Sequence, residues 1–496
     1  MKSLRYIPKI LGNAVFGLLL FPSLFLKKIR HRACYDPSFS KAETKKSSRP
    51  KPSISKNLGY ILAFHFLGMK PAMKKIFLLL FATLFSLSNW ASPILLKAKR
   101  YLDVNSGSYV SPANLLIEKD KIIAINPSQL PPNTLTVEKP ELTLLPGLMD
   151  MHVHLIVNSI SNLDHAIAEM NAAQATLNGV RNASTLLLAG FTTVRNLGQL
   201  YPGTTMIDVA LAKASEDKII TAPHIIPAGH ALSITGGHMD PDMFGPYPEG
   251  YLKIDYKIGV ADGVDEVIKA TRYQIKQGAK VIKVAGTAGV LSHEESVGAQ
   301  QYSYEELKAI VDEAKRHGVF VAVHAHGAEG IKAAVRAGVR SIEHGSLLDE
   351  EGITMMKKQG TYLVPTTYAA DALNTKILPA DIGKKAELLL PQARESIKKA
   401  ISAKLLIAFG TDSPVIPHGE NAKEFAALVR RGMSPIDAVR SATLNAAAMM
   451  RLDDRGQIKV GLLADLIGVK GDPLTDVAVL EQVDLVMKSG VIYKNS

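Results

Sequence analysis

Leu145-Pro146-Gly147-Leu148-Met149-Asp150-Met151-His152-Val153-His154 is the stretch on which the reading of this chain turns. Its apolar lead-in has the character of a buried strand, and side chains two apart on a strand point to one face. His152 and His154 therefore project together, as two imidazoles that one metal ion could use. Taken alone, a His-x-His pair is as compatible with packing as with ligation. The pattern on either side decides between them.

Downstream, apolar strand-like runs alternate with helical segments. Eight strand candidates occur at 143–151, 191–196, 224–229, 280–285, 320–324, 339–343, 361–365 and 405–410, separated by helical stretches such as 304–317 and 327–337. Eight strand-then-helix units predict an α/β fold, a (β/α)₈ TIM barrel over 145–454, with a doubly wound open sheet as the alternative. Upstream, from Ser92 to about Leu144, short alternating runs broken by Asn, Gly, Pro and Ser predict small antiparallel strands. The same texture returns near the C-terminus at 456–459, 464–469 and 484–493. Together, 92–144 and 455–496 predict a small accessory β-sandwich domain built from both chain termini.

At 496 residues the chain can bury a large core. The net charge of +12 first suggests nucleic acid or an anionic membrane as partner. Its placement argues otherwise. Residues 1–72 hold 14 Lys/Arg against Asp36 and Glu43, whereas 92–496 come to −2, so the body has no basic excess for nucleic acid. The single cysteine, Cys34, lies in that basic piece, and a body without cysteine suits a reducing or an oxidising compartment equally.

Residues 73–91 begin Met73-Lys74-Lys75 and continue through an apolar run of about a dozen residues to Ala91, the order of a secretory signal peptide. That predicts a periplasmic or secreted body with no stable membrane association. Residues 1–72 then read as upstream of the true start. Were they real, 10–26 with its basic flank would form a membrane anchor and 35–57 a disordered linker.

In a barrel of this kind, chemistry sits at the C-terminal ends of the strands. Five of the eight strands carry ligand-type residues there: His152 and His154, Lys283, His324 and His326, Glu343 and His344, and Asp412. With this order, the chain resembles the amidohydrolase superfamily from about Ser92 to Asn495. Gly229-His230, Thr235-Gly236-Gly237-His238, Val281-Ile282-Lys283-Val284, His324-Ala325-His326-Gly327 and Ser341-Ile342-Glu343-His344-Gly345 look more closely like its metal-dependent dipeptidase and carboxypeptidase-like subgroup, whose members carry imidazolonepropionase-like or Xaa-Pro dipeptidase labels.

The resemblance implies two divalent ions, zinc as the first choice. His152, His154 and Asp412 would hold one and His324 and His344 the other, with Lys283 carboxylated to a bridging carbamate. It implies cleavage of a dipeptide or N-acyl amino acid by a metal-bridging hydroxide, with Asp412 shuttling the proton. His326, His238, His230 and Tyr368 are its substrate-binding candidates. A mononuclear deaminase or cyclic-amide hydrolase is the alternative, but deaminase-like relatives place Glu where Gly327 stands here. A non-catalytic metal-binding protein is the alternative from another class. Homo-oligomerisation stays open. His165, His224, His317 and His418 lack ligand spacing, Glu294 and Glu295 read as a solvated loop, and Met449 and Met450 read as core.

Overall fold

The computed structural model describes residues 92–160, 163, 170–244, 253–291 and 296–496. The extension 1–72 with Cys34, the leader 73–91, His165, Glu294 and Glu295 lie outside the described residues.

Both ends of the described residues enter one sheet. Its strands are β1 (Ile94–Asp103), β2 (Ser108–Val110), β3 (Ala113–Glu118), β4 (Lys121–Ile125) and β5 (Leu135–Pro146), joined by β13 (Leu466–Lys470), β14 (Val483–Lys488) and β15 (Val491–Asn495). The order is β15-β14-β13-β5-β1-β3-β4, with β2 paired to β1. These eight strands thus form a single sheet, not two separate sheets of a sandwich, and β1 and β5 run parallel where the sequence pattern predicts antiparallel neighbours. The reason is connectivity: β2, β3 and β4 intervene, so the chain crosses back before β5 adds beside β1. Alternate residues of these strands, including Leu96, Leu115, Ile117, Leu142, Leu144 and Leu466, form one buried layer.

The opening stretch divides at Gly147. Residues up to Pro146 pair with Leu466–Lys470, and β6 (Leu148–Val153) starts a different, parallel sheet. The predicted single strand over 143–151 is therefore two. At Gly147 the backbone passes so close to Thr192 that a Cβ would lie 2.1 Å from its Oγ1, so only glycine fits at this crossing.

The parallel sheets are β6, β7 (Phe191–Asn196) and β8 (His224–Pro227), and β9 (Val281–Ala285), β10 (Phe320–Ala325), β11 (Ser341–His344) and β12 (Tyr362–Val364), each strand beside the next in sequence. Their edges are bridged. The Lys280 N–H donates to Pro227 O, and Leu232 bridges Val284. Residues 405–410 are not a regular strand, but Ile407 bridges Leu363 and the Met151 N–H donates to Phe409 O, 2.8 Å.

Helices follow the strands for local reasons. Helix α4 (Tyr304–Arg316), fourth after α1 (Ala172–Leu188), α2 (Ile207–Glu216) and α3 (Gly263–Gln277), starts at a capping box between Ser303 and Glu306 and buries Leu307, Ile310 and Ala314 on one face. Helices α5 (Ala328–Ala337), α6 (Glu350–Gln359), α7 (Thr367–Ala372), α8 (Ala380–Ser402) and α9 (Lys423–Arg430) continue the alternation. Met449 and Met450 are buried, as their sequence context predicts. Among the described residues no helix is long and apolar enough to cross a membrane.

Candidate metal centre

The C-terminal ends of the parallel strands bring the predicted ligands to one mouth. Asp412 Oδ1 lies 3.3 Å from His152 Nε2 and 3.3 Å from His154 Nε2, and Lys283 Nζ lies 3.4 Å from His152 Nε2. The His344 ring is 4.9 Å from that of His152 and 4.8 Å from that of His324. One ligand atom each from His152, His344 and Asp412 falls within 4.8 Å of the others.

Four histidines at this mouth have one ring nitrogen anchored by protein. His152 Nδ1 meets Glu343 Oε2 at 2.9 Å, and His154 Nδ1 meets Gly198 O at 2.9 Å. A carboxylate and a carbonyl can only accept, so both Nδ1 atoms carry the proton and both Nε2 lone pairs face Asp412. His344 Nδ1 pairs with Thr366 Oγ1 at 2.8 Å, and His326 Nδ1 with Ser346 Oγ at 2.7 Å. His324 Nε2 is buried without a hydrogen-bond partner among the described residues. A buried imidazole nitrogen seldom goes unpaired. Anchored histidines with lone pairs converging beside a carboxylate are the donor set of a divalent transition metal, so the residues fit the ions that the sequence pattern implies.

The electrostatics agree. Burial pushes His152 down to about 4 and His344 well below its ordinary range, so both are neutral at pH 7, as ligands must be. Burial opposes ionisation of Asp412, but His152, His154 and His344 outweigh it and hold its carboxyl well below the usual carboxylate range. Burial also pushes the Lys283 ammonium down to about 8, with Glu343 and Asp412 pulling the other way.

Backbone strain accompanies the site. His344, Thr366 and Asp412 have φ of 68°, 48° and 60°, the left-handed region that non-glycine residues seldom occupy. Asp150 holds one of these turns. Its Oδ1 accepts from the His152 N–H at 3.0 Å, and its Oδ2 accepts from Thr411 Oγ1 at 2.7 Å and Asn421 Nδ2 at 2.8 Å. Glu424, fully buried, holds another by accepting from the Thr367 and Tyr368 N–H groups just beyond Thr366.

Sequence reasoning missed Asp150, Arg195, Thr366 and Glu424, and gave Glu343 no role. A signal existed for two of them. Asp150 shares the alternating face of His152 and His154, and Arg195 is a lone cation in an apolar strand. Thr366→Val is expected to weaken metal binding about 10–100-fold, because the imidazole of His344 loses the partner that orients it. Competition with a chelator measures this, and an unchanged affinity would show that Thr366 is a bystander.

Above the ligands lies a cavity of about 140 Å³ whose lining includes all six predicted ligands, His238 and His326. His238 stacks on His324 with ring centroids 4.2 Å apart. The other two substrate-binding candidates lie elsewhere. His230 Nε2 is 2.8 Å from Gln199 Nε2, in a small neighbouring cavity with Tyr201 and Ile258. Tyr368 is absent from the lining and turns its ring toward Lys423. His224, His317 and His418 also lie off the cavity, beside Asp465, Glu313 and Val157 O respectively.

Residues 143–493 match the Amidohydrolase family, and the chain belongs to it. It is 34% identical over 371 residues to an ochratoxinase of Aspergillus niger, covering 71% of this chain and 75% of that protein. It is 26% identical over 395 residues to an imidazolonepropionase of Thermoanaerobacter pseudethanolicus, covering 74% and 85%. A Xaa-Pro dipeptidase crystal structure with methionine bound in its active site superposes with a TM-score of 0.76 at 37% identity, covering 82% of this chain and all of the other. The protein is accordingly a hydrolase of the amidohydrolase superfamily acting on amide bonds.

Proposed function

We propose that this protein is a binuclear metal-dependent amidohydrolase that cleaves a dipeptide or N-acyl amino acid. The observation that carries this reading is the convergence of His152, His154 and Asp412 on one side and His324 and His344 on the other, around Lys283. The parallel strands and 405–410, bridged edge to edge, are read as a (β/α)₈ barrel over 145–454, flanked by an accessory domain from 92–144 and 455–496. The leader at 73–91 directs it to the periplasm or outside the cell.

His152, His154 and Asp412 would hold one ion, and His324 and His344 the second. Lys283, with Nζ 3.4 Å from His152 Nε2, lines the same cavity and would bridge the two. As an ammonium it would repel both ions, but as a carbamate it offers two anionic oxygens, and burial favours the neutral amine from which a carbamate forms. When bound, the ions, zinc as the first choice, would polarise the amide carbonyl and acidify water. The chain supplies the proton traffic. Asp412 begins ionised, takes the proton of the attacking water on its carboxylate and gives it to the leaving nitrogen, acting as base and then acid. An amine leaves far more readily once protonated, so this delivery matches the site to amides. His326 and His238 flank the ligands and contact the substrate. The other two substrate-binding candidates, His230 and Tyr368, take no part in this reading, since neither lines the cavity.

The compact group of His152, His344 and Asp412 favours a second reading, a single-ion hydrolase. One experiment separates them: residues 92–496 are loaded with Zn²⁺ in the presence and absence of bicarbonate, bound metal is counted, and dipeptides and N-acyl amino acids are screened for amino-acid release. Two ions per chain with bicarbonate, and amide cleavage, are expected. One ion regardless of bicarbonate would favour the single-ion reading, and no cleavage of any amide would overturn the proposal.

A further inference from the structure

The cavity has two unlike sides. Its ionisable lining residues are the six ligands, His238 and His326, gathered where the strands end. The rest of the described lining is apolar but for Ser346, Thr366 and Thr367. Helix α8 contributes Leu389, Ala393 and Ile397, four residues apart and thus on one face, together with Leu390. Val290 and Leu291 continue that lining. Among the described lining residues there is no arginine, no glutamate and no aspartate other than Asp412.

This division constrains the substrate. A free dipeptide carries an ammonium on its acyl half, within a few ångströms of the scissile carbonyl. Among the described lining residues the one carboxylate, Asp412, is already shared between His152 and His154. An ammonium placed against Leu389 and Ile397 would lose its hydration with no partner in return, at high cost. An alkyl or aryl group placed there gains from burial instead. The amine half, with any carboxylate it bears, falls to the polar side, where His326 and His238 can donate an N–H.

We infer that the preferred substrates are amides whose acyl half is bulky, apolar and uncharged, N-acyl amino acids with a medium-chain aliphatic or aromatic acyl group, and that Ala393 on α8 sets the depth available to that group. This rests on the amide-hydrolase reading above and narrows it. Ala393 is buried and faces the cavity with only a methyl group, so a larger side chain there shortens the space.

The test holds the leaving amino acid constant as phenylalanine and varies the other half through acetyl, butanoyl, hexanoyl, benzoyl and the free-ammonium residue leucyl. kcat/KM is expected to rise at least tenfold from acetyl to hexanoyl, with leucyl-phenylalanine at least tenfold below hexanoyl-phenylalanine. Ala393→Phe is expected to cut the hexanoyl-to-acetyl ratio at least tenfold. Leu390→Trp, at a half-buried position of the same wall, provides a second narrowing should the first variant fold poorly. In parallel, calorimetry on the metal-free protein measures binding of hexanamide against acetamide, which requires no turnover. A flat length series, or leucyl-phenylalanine as the best substrate, would overturn the inference while leaving amide hydrolysis intact. Cleavage of nothing, with hexanamide still bound more tightly than acetamide, would sink the hydrolase reading and keep the apolar site. Equal binding of the two amides would remove the site itself.

Discussion

Asp412→Asn is expected to lower kcat on an N-acyl amino acid about 10³-fold while leaving the fold intact, within the span that a single acid–base group contributes. The substitution keeps the size of the side chain and an oxygen 3.3 Å from His152 and His154, so the two imidazoles retain a neighbour there. It also keeps the backbone bond from the residue 412 N–H to His152 O, which anchors the turn at φ 60°. An amide oxygen cannot take and return a proton at neutral pH. The loss therefore falls on turnover, and metal content by atomic emission is expected to stay above half of the unsubstituted value. Should kcat fall less than tenfold, the proton shuttle is another group. A variant that loses its metal together with its activity would instead mark Asp412 as a ligand first.

That prediction rests on residues legible in the sequence, and the reason they were legible is geometric. Parallel strands alternating with helices deliver their C-terminal ends to one side, so ligand-type residues at those ends converge whatever lies between them. His152, His154, Lys283, His324, His344 and Asp412 all lie where that rule puts them, around one cavity. Asp412 was legible although 405–410 is not a regular strand, because backbone bonds to Leu363 and Met151 hold the segment in line. Other features depend on which way a side chain turns after its strand has ended. His230 and Tyr368 follow strands as the ligands do, yet one faces Gln199 and the other Lys423. No spacing rule reaches that far into a loop. The boundary at Gly147 was hidden for a different reason: a continuous apolar run looks the same whether it serves one sheet or passes from one to the next.

The least legible layer lies beneath the ligands, and it leads to the largest expected effect on stability. Arg195 and Glu343 are fully buried side by side, with Nη2 2.9 Å from Oε1. Arg195 also donates through Nε to Met151 O at 2.6 Å and through Nη1 to Ser341 Oγ at 3.1 Å. Glu343 uses its second oxygen on His152 Nδ1, so the pair links β7, β11 and the first of the predicted metal ligands. Burial opposes the charge on Glu343, but Arg195 and then His152 hold its carboxyl below the usual carboxylate range. Arg195→Met removes the cation and strands that carboxylate away from water, at a cost of about 3–5 kcal/mol. Urea unfolding of the metal-free protein at pH 7 measures it without any contribution from bound ions. Arg195→Met combined with Glu343→Gln is expected to recover part of the loss, since no uncompensated charge remains, although His152 then loses its anionic anchor. The sign with pH follows from the depressed carboxyl. Its contribution is present above the usual carboxylate range and is lost as the pH falls through the lower value in the folded protein, so the gap between the unsubstituted protein and Arg195→Met is expected to narrow in acid. A cost below about 1 kcal/mol, or a double variant less stable than Arg195→Met alone, would mean that the pair contributes no more than a surface ion pair and that His152 is oriented by packing instead.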